Sequence, residues 1–486
     1  MNKYILIFTV LILSCINAIA QDRKLSLVDV IELAKNQSPE AKIASTQKER
    51  QYWFNQQFKA NYNPQLYLSG EVPGYNRSYI ENRQDNGEIE YQSREQLDSN
   101  LGLSLFQPIT ATGGRISVNS SLSQFRNLDS DFQRFNSTLF NIRLFQPLFG
   151  FNQLKWDRKT EPLRYEESKR TYVEEMEAIS REATDLYFNY LTAQVELQIS
   201  EFNLANNDTI YNIENGRYNI GTASRDEILQ VELQLLTSQQ GVTQANLDMK
   251  TSRQKLVSYI GLNLASSSML ELLPPQELPA FEISLEKALT YARQNRADYI
   301  NFERRRLEAQ KGVALAKSQR FDTDLTASFG LNKAGPSFND AYVDPNNQQR
   351  VNVRIGVPLM DWGRSKSRVK IALAEQQLEQ YLLAQQIQNF EQEIATLVST
   401  FEVLRLQVEI TKKSDEVAQE RYNVAQNRYL IGKTKITDLN IALKEKDQAK
   451  GSYLNALRQF WISYFDLRRL TLYDFLNDEL LYQKEG

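Results

Sequence analysis

The sequence predicts a mostly α-helical chain that also carries amphipathic β-strands, built as a tandem duplication of one helix–β-hairpin–long-helix coiled-coil unit. Three observations lead there. A glycine-centred break, Arg217-Tyr218-Asn219-Ile220-Gly221, returns 211 positions later as Arg428-Tyr429-Leu430-Ile431-Gly432. Long runs on both sides of each break space their apolar residues as a helix does. Ahead of each long run, the pattern changes from period 3.6 to period 2.

The N-terminus has the layout of a secretory signal peptide over residues 1–20. Lys3 gives the positive end, Tyr4 to Leu13 the apolar stretch, and Ala18-Ile19-Ala20 a small-residue cleavage site before Gln21. Cys15 offers a second reading, a lipid-anchored N-terminus, although Ile12-Leu13-Ser14 matches a lipobox poorly. The first helical stretch, from Leu25, reads LSLVDVIELAKNQSPE; its counterpart from Ile283 reads ISLEKALTYARQNRAD, an offset of 258. The later halves align at 211, so the first half carries 47 additional residues ahead of Pro147. The similarity of LSLFQPI (Leu103–Ile109) to RLFQPLFG (Arg143–Gly150) marks an additional hairpin.

Strands are expected over about 65–148 and 322–358. In the first half the alternating sets are Leu66/Leu68, Leu101/Leu103/Leu105, Ile116/Val118 and Phe140/Ile142/Leu144. Thr112-Gly113-Gly114 turns between the middle pair. In the second half they are Leu325/Ala327/Phe329/Leu331 and Val351/Val353/Ile355/Val357, across a polar loop from Ala334 to Gln349. One apolar and one polar face suit either a half-buried soluble sheet or a membrane barrel. A secreted chain without an apolar helix crosses a bilayer only as a closed barrel. Two or three hairpins cannot enclose a wide channel, so a shared barrel implies a homo-oligomer.

Helical hairpins are expected at about 153–262 and 364–470. Arg364 to Ile431 holds neither Gly nor Pro over 68 residues, a rod of roughly 100 Å. Leu383, Ile387, Phe390, Ile394, Leu397, Phe401, Leu404 and Val408 form a heptad seam along it. Moved back by 211, the positions from Ile387 onward are Met176, Ile179, Ala183, Leu186, Tyr190, Ala193 and Leu197, all apolar or aromatic. Pro162 marks a start or a kink in the first copy. Gly221 and Gly432 read as helix ends that turn the chain back. Residues 263–282, with Pro274, Pro275 and Pro279, read as a linker joining repeats 21–262 and 283–470, and 471–486 as its counterpart.

Composition narrows function. The chain has 486 residues, 41% of them hydrophobic, and a net charge of -3, with a mean hydropathy of -0.51. Such polarity suits extended elements with solvated faces, and the balanced charge gives nucleic acid no basic field. There is no histidine, and the one cysteine lies in the signal segment. Thiol and Ser-His catalysis and His/Cys metal sites are therefore excluded from the mature chain. No HExxH, P-loop or GxGxxG after a strand appears. No enzyme activity, cofactor or metal is expected.

Signal segment, duplicated halves and Arg-Tyr-x-x-Gly at each turn together resemble the TolC-type outer-membrane channel family, over Leu25 to about Leu470. The resemblance implies a homotrimer whose outer-membrane barrel continues into an α-helical tunnel across the periplasm. It implies outer-membrane lipid around the barrel, a periplasmic membrane-fusion adaptor and an inner-membrane pump as partners, and a passive role in efflux or type I secretion. Arg217, Tyr218, Gly221, Arg428, Tyr429 and Gly432 then sit at the periplasmic tip, where the adaptor docks and the channel narrows. Asp438 falls where some members place an acidic ring; its other reading is an acid favoured at a helix N-terminus. The family's second acidic position is Ile441 here, and a latching arginine is replaced by Thr434. The additional hairpin gives a trimer either the usual twelve strands or eighteen. A periplasmic coiled-coil adaptor or scaffold is the alternative from another class.

Overall fold

The computed structural model describes residues 23–130, 132–262, 270–275 and 281–482. The expected signal peptide with Cys15 lies outside them, as do residues 263–269 and 276–280 of the expected linker and the last four residues. The first half runs β1 (Arg23–Leu25), α1 (Leu27–Gln37), α2 (Pro39–Ala60), β2 (Gln65–Arg83), β3 (Ile89–Ile109), β4 (Gly114–Asn127), β5 (Gln133–Pro147), α3 (Gln153–Asn219) and α4 (Arg225–Tyr259). The second runs β6 (Leu270–Leu272), α5 (Leu285–Asn295), α6 (Ala297–Ser318), β7 (Asp322–Gly335), β8 (Asn346–Gly356), α7 (Arg364–Leu430) and α8 (Ile436–Thr471), with β9 (Tyr473–Asp474) and β10 (Glu479–Leu480) at the end.

The repeat is visible in the helices. α1 and α5 each have 11 residues, and α2 and α6 each have 22. α3 and α7 each have 67 residues and start 211 positions apart. Pro162 does not start α3, which begins at Gln153; it lies inside the helix.

The chain divides into two units. One comprises residues 50–167 and 300–386. Its centre is a six-stranded antiparallel sheet in the order β2-β3-β4-β5-β7-β8, so the additional hairpin joins the same sheet at one edge. Register makes the two faces chemically distinct. Leu66, Leu105, Val118, Ile142, Phe329 and Gln349 form one continuous cross-strand row. On the neighbouring row, Ile116, Leu144, Ala327 and Val351 line up on the same face. Leu66, Leu68, Val351 and Ile355 are each more than 60% exposed, so among the described residues nothing covers these side chains of the apolar face. The opposite face carries Ser, Asn, Gln and Arg.

β2 and β3 have 19 and 21 residues, longer than β4 and β5 with 14 and 15. The polar stretch between Glu71 and Asn100 continues the ladder instead of forming a loop. Cross-strand pairs hold it: Arg77 Nε lies 3.1 Å from Glu95, and the Tyr91 hydroxyl donates to Glu81 at 3.0 Å. The β7–β8 loop is likewise shorter than 334–349, because the strands run to Gly335 and from Asn346. Helical segments of this unit are tied by Arg304 to Glu167 (2.7 Å), Lys311 to Asp157 (2.9 Å) and Arg305 to Glu379 (2.6 Å).

The other unit comprises residues up to 49, 168–299 and from 387 onward. Its core packs Val30, Tyr187, Phe188, Leu191, Leu256, Phe401, Phe460 and Tyr464 from α1, α3, α4, α7 and α8. Seam residues Phe390, Ile394, Phe401, Leu404 and Val408 are buried there. β1 pairs in parallel with β6, which brings the start of each half together. A second apolar cluster, Ile210, Ile228, Val231, Tyr422, Tyr429, Ile436, Leu439 and Leu443, surrounds the two helical turns.

Candidate functional site at the paired helical turns

Each Arg-Tyr-x-Ile-Gly segment ends its helix by the same backbone device. Gly221 and Gly432 have φ of +78° and +68°. Thr222 N–H donates to Arg217 C=O at 2.8 Å and Gly221 N–H to Tyr218 C=O at 3.0 Å. Lys433 to Arg428 (2.8 Å) and Gly432 to Tyr429 (2.9 Å) repeat the arrangement. This is the Schellman pattern, in which a left-handed residue closes the last carbonyls, and glycine adopts that conformation without steric cost. No atom lies within 4 Å of where a Cβ would stand at either glycine, so backbone conformation alone selects the residue.

The helices that follow are capped differently. Ser224 N–H donates to Glu227 at 2.7 Å and Glu227 N–H to Ser224 Oγ at 3.2 Å, a reciprocal capping box. This accounts for Glu227, whose carboxyl the Ser224 backbone and hydroxyl bonds hold below the ordinary range. In the second turn Lys435 occupies the cap position and offers no side-chain cap. Asp438 stands exposed in the first turn of α8, accepting from the Thr434 hydroxyl at 2.8 Å.

Side chains from the two motifs meet at one carboxylate. Glu214, buried on α3, accepts from Arg217 Nη1 at 2.7 Å and from the Tyr429 hydroxyl at 2.5 Å. The Arg217 guanidinium lies 5.6 Å from the Tyr429 ring centre. Burial, then the bond to Glu214 and its charge, raise the Tyr429 phenol well above its ordinary value, with Arg217 opposing. Tyr429 therefore stays a protonated donor throughout the physiological range.

The other two motif side chains do not join. Tyr218 is 38% exposed and Arg428 is exposed, because the position 211 residues beyond Glu214 is Ala425, packed against the apolar cluster. Sequence reading missed Glu214. Its one signal is a charge on one side of the duplication facing alanine on the other, followed three residues later by Arg217. Further along the same coil, buried Lys446 lies 4.9 Å from the Phe202 ring centre and 4.6 Å from that of Tyr422. Burial, with Asp447 adding to it, pushes the Tyr422 phenol up to about 12. Asp447 accepts from Asn203 at 2.8 Å.

Among the described residues no group of three His, Cys, Asp or Glu is placed to hold a metal ion. None of the described helices is long and apolar enough to cross a membrane. The turns offer backbone caps, one buried charge cluster and two exposed motif side chains.

Comparison with known proteins places these features in a family. The outer membrane efflux protein family matches residues 49–262 and 283–471. Among curated proteins nothing matches the sequence. The fold is similar to the CmeC outer membrane channel of Campylobacter jejuni, at 15% identity, covering 92% of this chain and 85% of that one, with a TM-score of 0.67. It is also similar to the outer membrane protein VceC of Vibrio cholerae, at 15% identity, 92% and 95% coverage and a TM-score of 0.64. The open state of the Neisseria gonorrhoeae MtrE outer membrane channel matches at 16% identity, 92% and 88% coverage and a TM-score of 0.60.

Proposed function

The chain belongs to the outer membrane efflux protein family, and from this premise we propose that three copies form one passive conduit across the outer membrane and periplasm. Each copy gives six strands, so the trimer closes a barrel of three times six, or eighteen. The helical hairpins continue that barrel as a periplasmic tunnel. Residues 21–262 and 283–470 act as its two repeats, with 263–282 and 471–486 as belt segments. A periplasmic membrane-fusion adaptor docks at the turns through Arg217, Tyr218, Gly221, Arg428, Tyr429 and Gly432. An inner-membrane pump supplies the energy, and Asp438 draws cations to the aperture.

The observation that carries this reading is the sheet. Among the described residues it is open at both edges, β2 and β8, and leaves Leu66, Leu68, Val351 and Ile355 of its apolar face exposed. Closure by neighbouring copies satisfies the edge hydrogen bonds, and lipid covers the face. Two uncovered seams support a second copy as the partner. Val403, Leu406, Ile410, Val417 and Val424 on α7, and Leu229, Leu233, Leu236 and Leu247 on α4, are exposed at heptad spacing.

Membrane fractionation with heat-modifiability on a gel tests the conduit. A chain confined to the soluble periplasmic fraction refutes it. Ile410→Asp puts a charge into the α7 seam and should shift the purified protein from trimer to monomer in sedimentation. An unchanged trimer would remove the seam from the interface. Crosslinking from Tyr218 and Arg428 should capture an adaptor, and capture only from sites remote from the turns would reject the docking assignment.

A further inference from the structure

We infer that the polar face of the six-stranded sheet is an anion-preferring surface, and that the conduit favours oxyanion-bearing solutes on its barrel side. The inference rests on the barrel reading above, which turns this face toward the lumen.

Cross-strand register assembles the surface. Phe106, Ser117, Arg143, Ser328 and Arg350 form one row over β3, β4, β5, β7 and β8. Arg115, two positions nearer the helical end on β4, stands on the same face with its guanidinium 6.0 Å from the Phe106 ring centre. Arg354 and Asp324 pair directly across β8 and β7, at 3.8 Å. Arg143 and Arg354 are repeat equivalents, 211 positions apart, and Arg354 stands two rows nearer the helical end than Arg143 on the same face.

The balance is one-sided. Arg115, Arg143, Arg350 and Arg354 face two carboxylates, Asp324 and its β7 neighbour on the same face, Asp322, which leaves a net charge of +2 in each chain. Beyond Asp322, which adjoins that ion pair on β7, the next carboxylates on the face, Glu71 on β2 and Asp98 on β3, lie six or more residues from the Phe106–Arg350 row. That is about 20 Å at ~3.3 Å per residue, well beyond the ~8 Å over which salt screens charge. Ser117 and Ser328 flank Arg143, so no acidic neighbour occupies its fork. Arg143 and Arg350 sit two strands apart, about 10 Å at ~4.8 Å per strand. That separation exceeds the ~8 Å screening length, so their mutual repulsion is weak and the row persists without a counter-charge in the protein. Guanidinium forks match carboxylate, sulfonate and phosphate oxygens, and rings of arginine select anions in pores. Threefold closure would bring three such clusters into one ring.

Arg143→Ser with Arg350→Ser tests this. Serine suits the site, since Ser104 holds the corresponding place in the additional hairpin on the same sheet. An Asp438→Asn background removes the acid at the turns, so that the barrel is read alone. In a planar bilayer under a KCl gradient, that background should pass chloride over potassium with a ratio above ~1. The two serines should lower the ratio at least about twofold, and Arg→Lys at both sites should preserve it. A cation-selective background, or a ratio unmoved by the serines, overturns the inference. Binding of pyranine, a trisulfonated dye, to the detergent-purified protein gives a reading independent of an open aperture. Its Kd should rise at least about threefold in the serine variant, and an unchanged Kd overturns the inference. Fractionation reads the conduit separately. A soluble chain sinks that reading, whereas a membrane channel without anion preference sinks only this one.

Discussion

Glu214 and Tyr429 offer a direct measure of how tightly the two helical hairpins are held together at their turns. Tyr429→Phe deletes a hydroxyl that donates to a buried carboxylate at 2.5 Å. A hydrogen bond to a charged group contributes about 1.5–3 kcal/mol. Glu214 keeps Arg217 at 2.7 Å, so the loss should fall at the lower end, about 1.5 kcal/mol. Glu214→Gln retains an acceptor but removes the charge. The partly exposed Arg217 pair then forfeits about 0.5–1 kcal/mol, and weaker bonding to Tyr429 adds about 1. Once Glu214 is neutral, Tyr429→Phe removes only an ordinary bond, so the double-mutant cycle should give a coupling of about 1 kcal/mol. Hydrogen exchange of amides 217–224 and 428–436 reads this locally, since 1.4 kcal/mol is tenfold in rate. Each single change should accelerate exchange there about tenfold and leave the Tyr187–Phe460 core unaffected. Additive effects, with coupling below about 0.3 kcal/mol, would refute the shared-carboxylate account. The pH dependence has a definite sign. Because the folded phenol is raised, unfolding releases a proton more readily above the ordinary tyrosine value of 10.0, so the turns should loosen as pH rises beyond it.

Two further outcomes follow from local structure. Alanine at Gly221 or Gly432 meets no atom but must hold positive φ, so each should cost about 1–2 kcal/mol; Gly451→Ala, in open space inside α8, should stabilise by about 0.5–1 kcal/mol in thermal unfolding. Burial, reinforced by Asp298, pushes the Glu174 carboxyl from 4.5 up to about 7, although the Ala297 N–H bond, Arg296 and Arg469 oppose the shift. That acid therefore contributes stability below pH 4.5 which is lost as pH climbs to about 7, so Glu174→Gln should raise Tm at pH 8 and leave it unchanged at pH 4. An equal shift at both values would separate the residue from the pH response.

What the sequence disclosed was whatever leaves a period or a repeat. Leu383 to Val408 announce a seam because burial on one helix face imposes heptad spacing, and Gly221 and Gly432 stand out because each interrupts such a run once, at matching places in the two halves. Leu325 to Leu331 and Val351 to Val357 alternate because one sheet face is apolar. The segment between Glu71 and Asn100 gave no such sign, since Arg77–Glu95 and Tyr91–Glu81 stabilise a ladder that is polar on both faces. Of the start or kink expected at Pro162, the start is overturned for a related reason. The proline's missing N–H removes one intrahelical bond, and 67 residues of helix absorb that loss. Glu214 and the Arg143–Arg350 row were hidden because both are relations between distant segments. The first depends on α3 facing α7, the second on a register that brings β5, β7 and β8 side by side.

Duplication supplied two turns with the same glycine, and the charge around them makes the pair unequal. Arg217 and Glu214 lie three positions apart on α3 and stay bonded wherever that helix goes. Tyr429 reaches Glu214 from α7, and α7 offers it no carboxylate of its own because Ala425 stands at the equivalent place. The first turn is also closed by the Ser224–Glu227 box, whereas the second relies on Thr434 bonding Asp438. Separating the hairpins at this end must therefore break the Tyr429 bond first and leave the Arg217–Glu214 pair intact. The cost falls on the α7–α8 turn, which gives up a buried donor, while the α3–α4 turn keeps every polar contact made within its own hairpin.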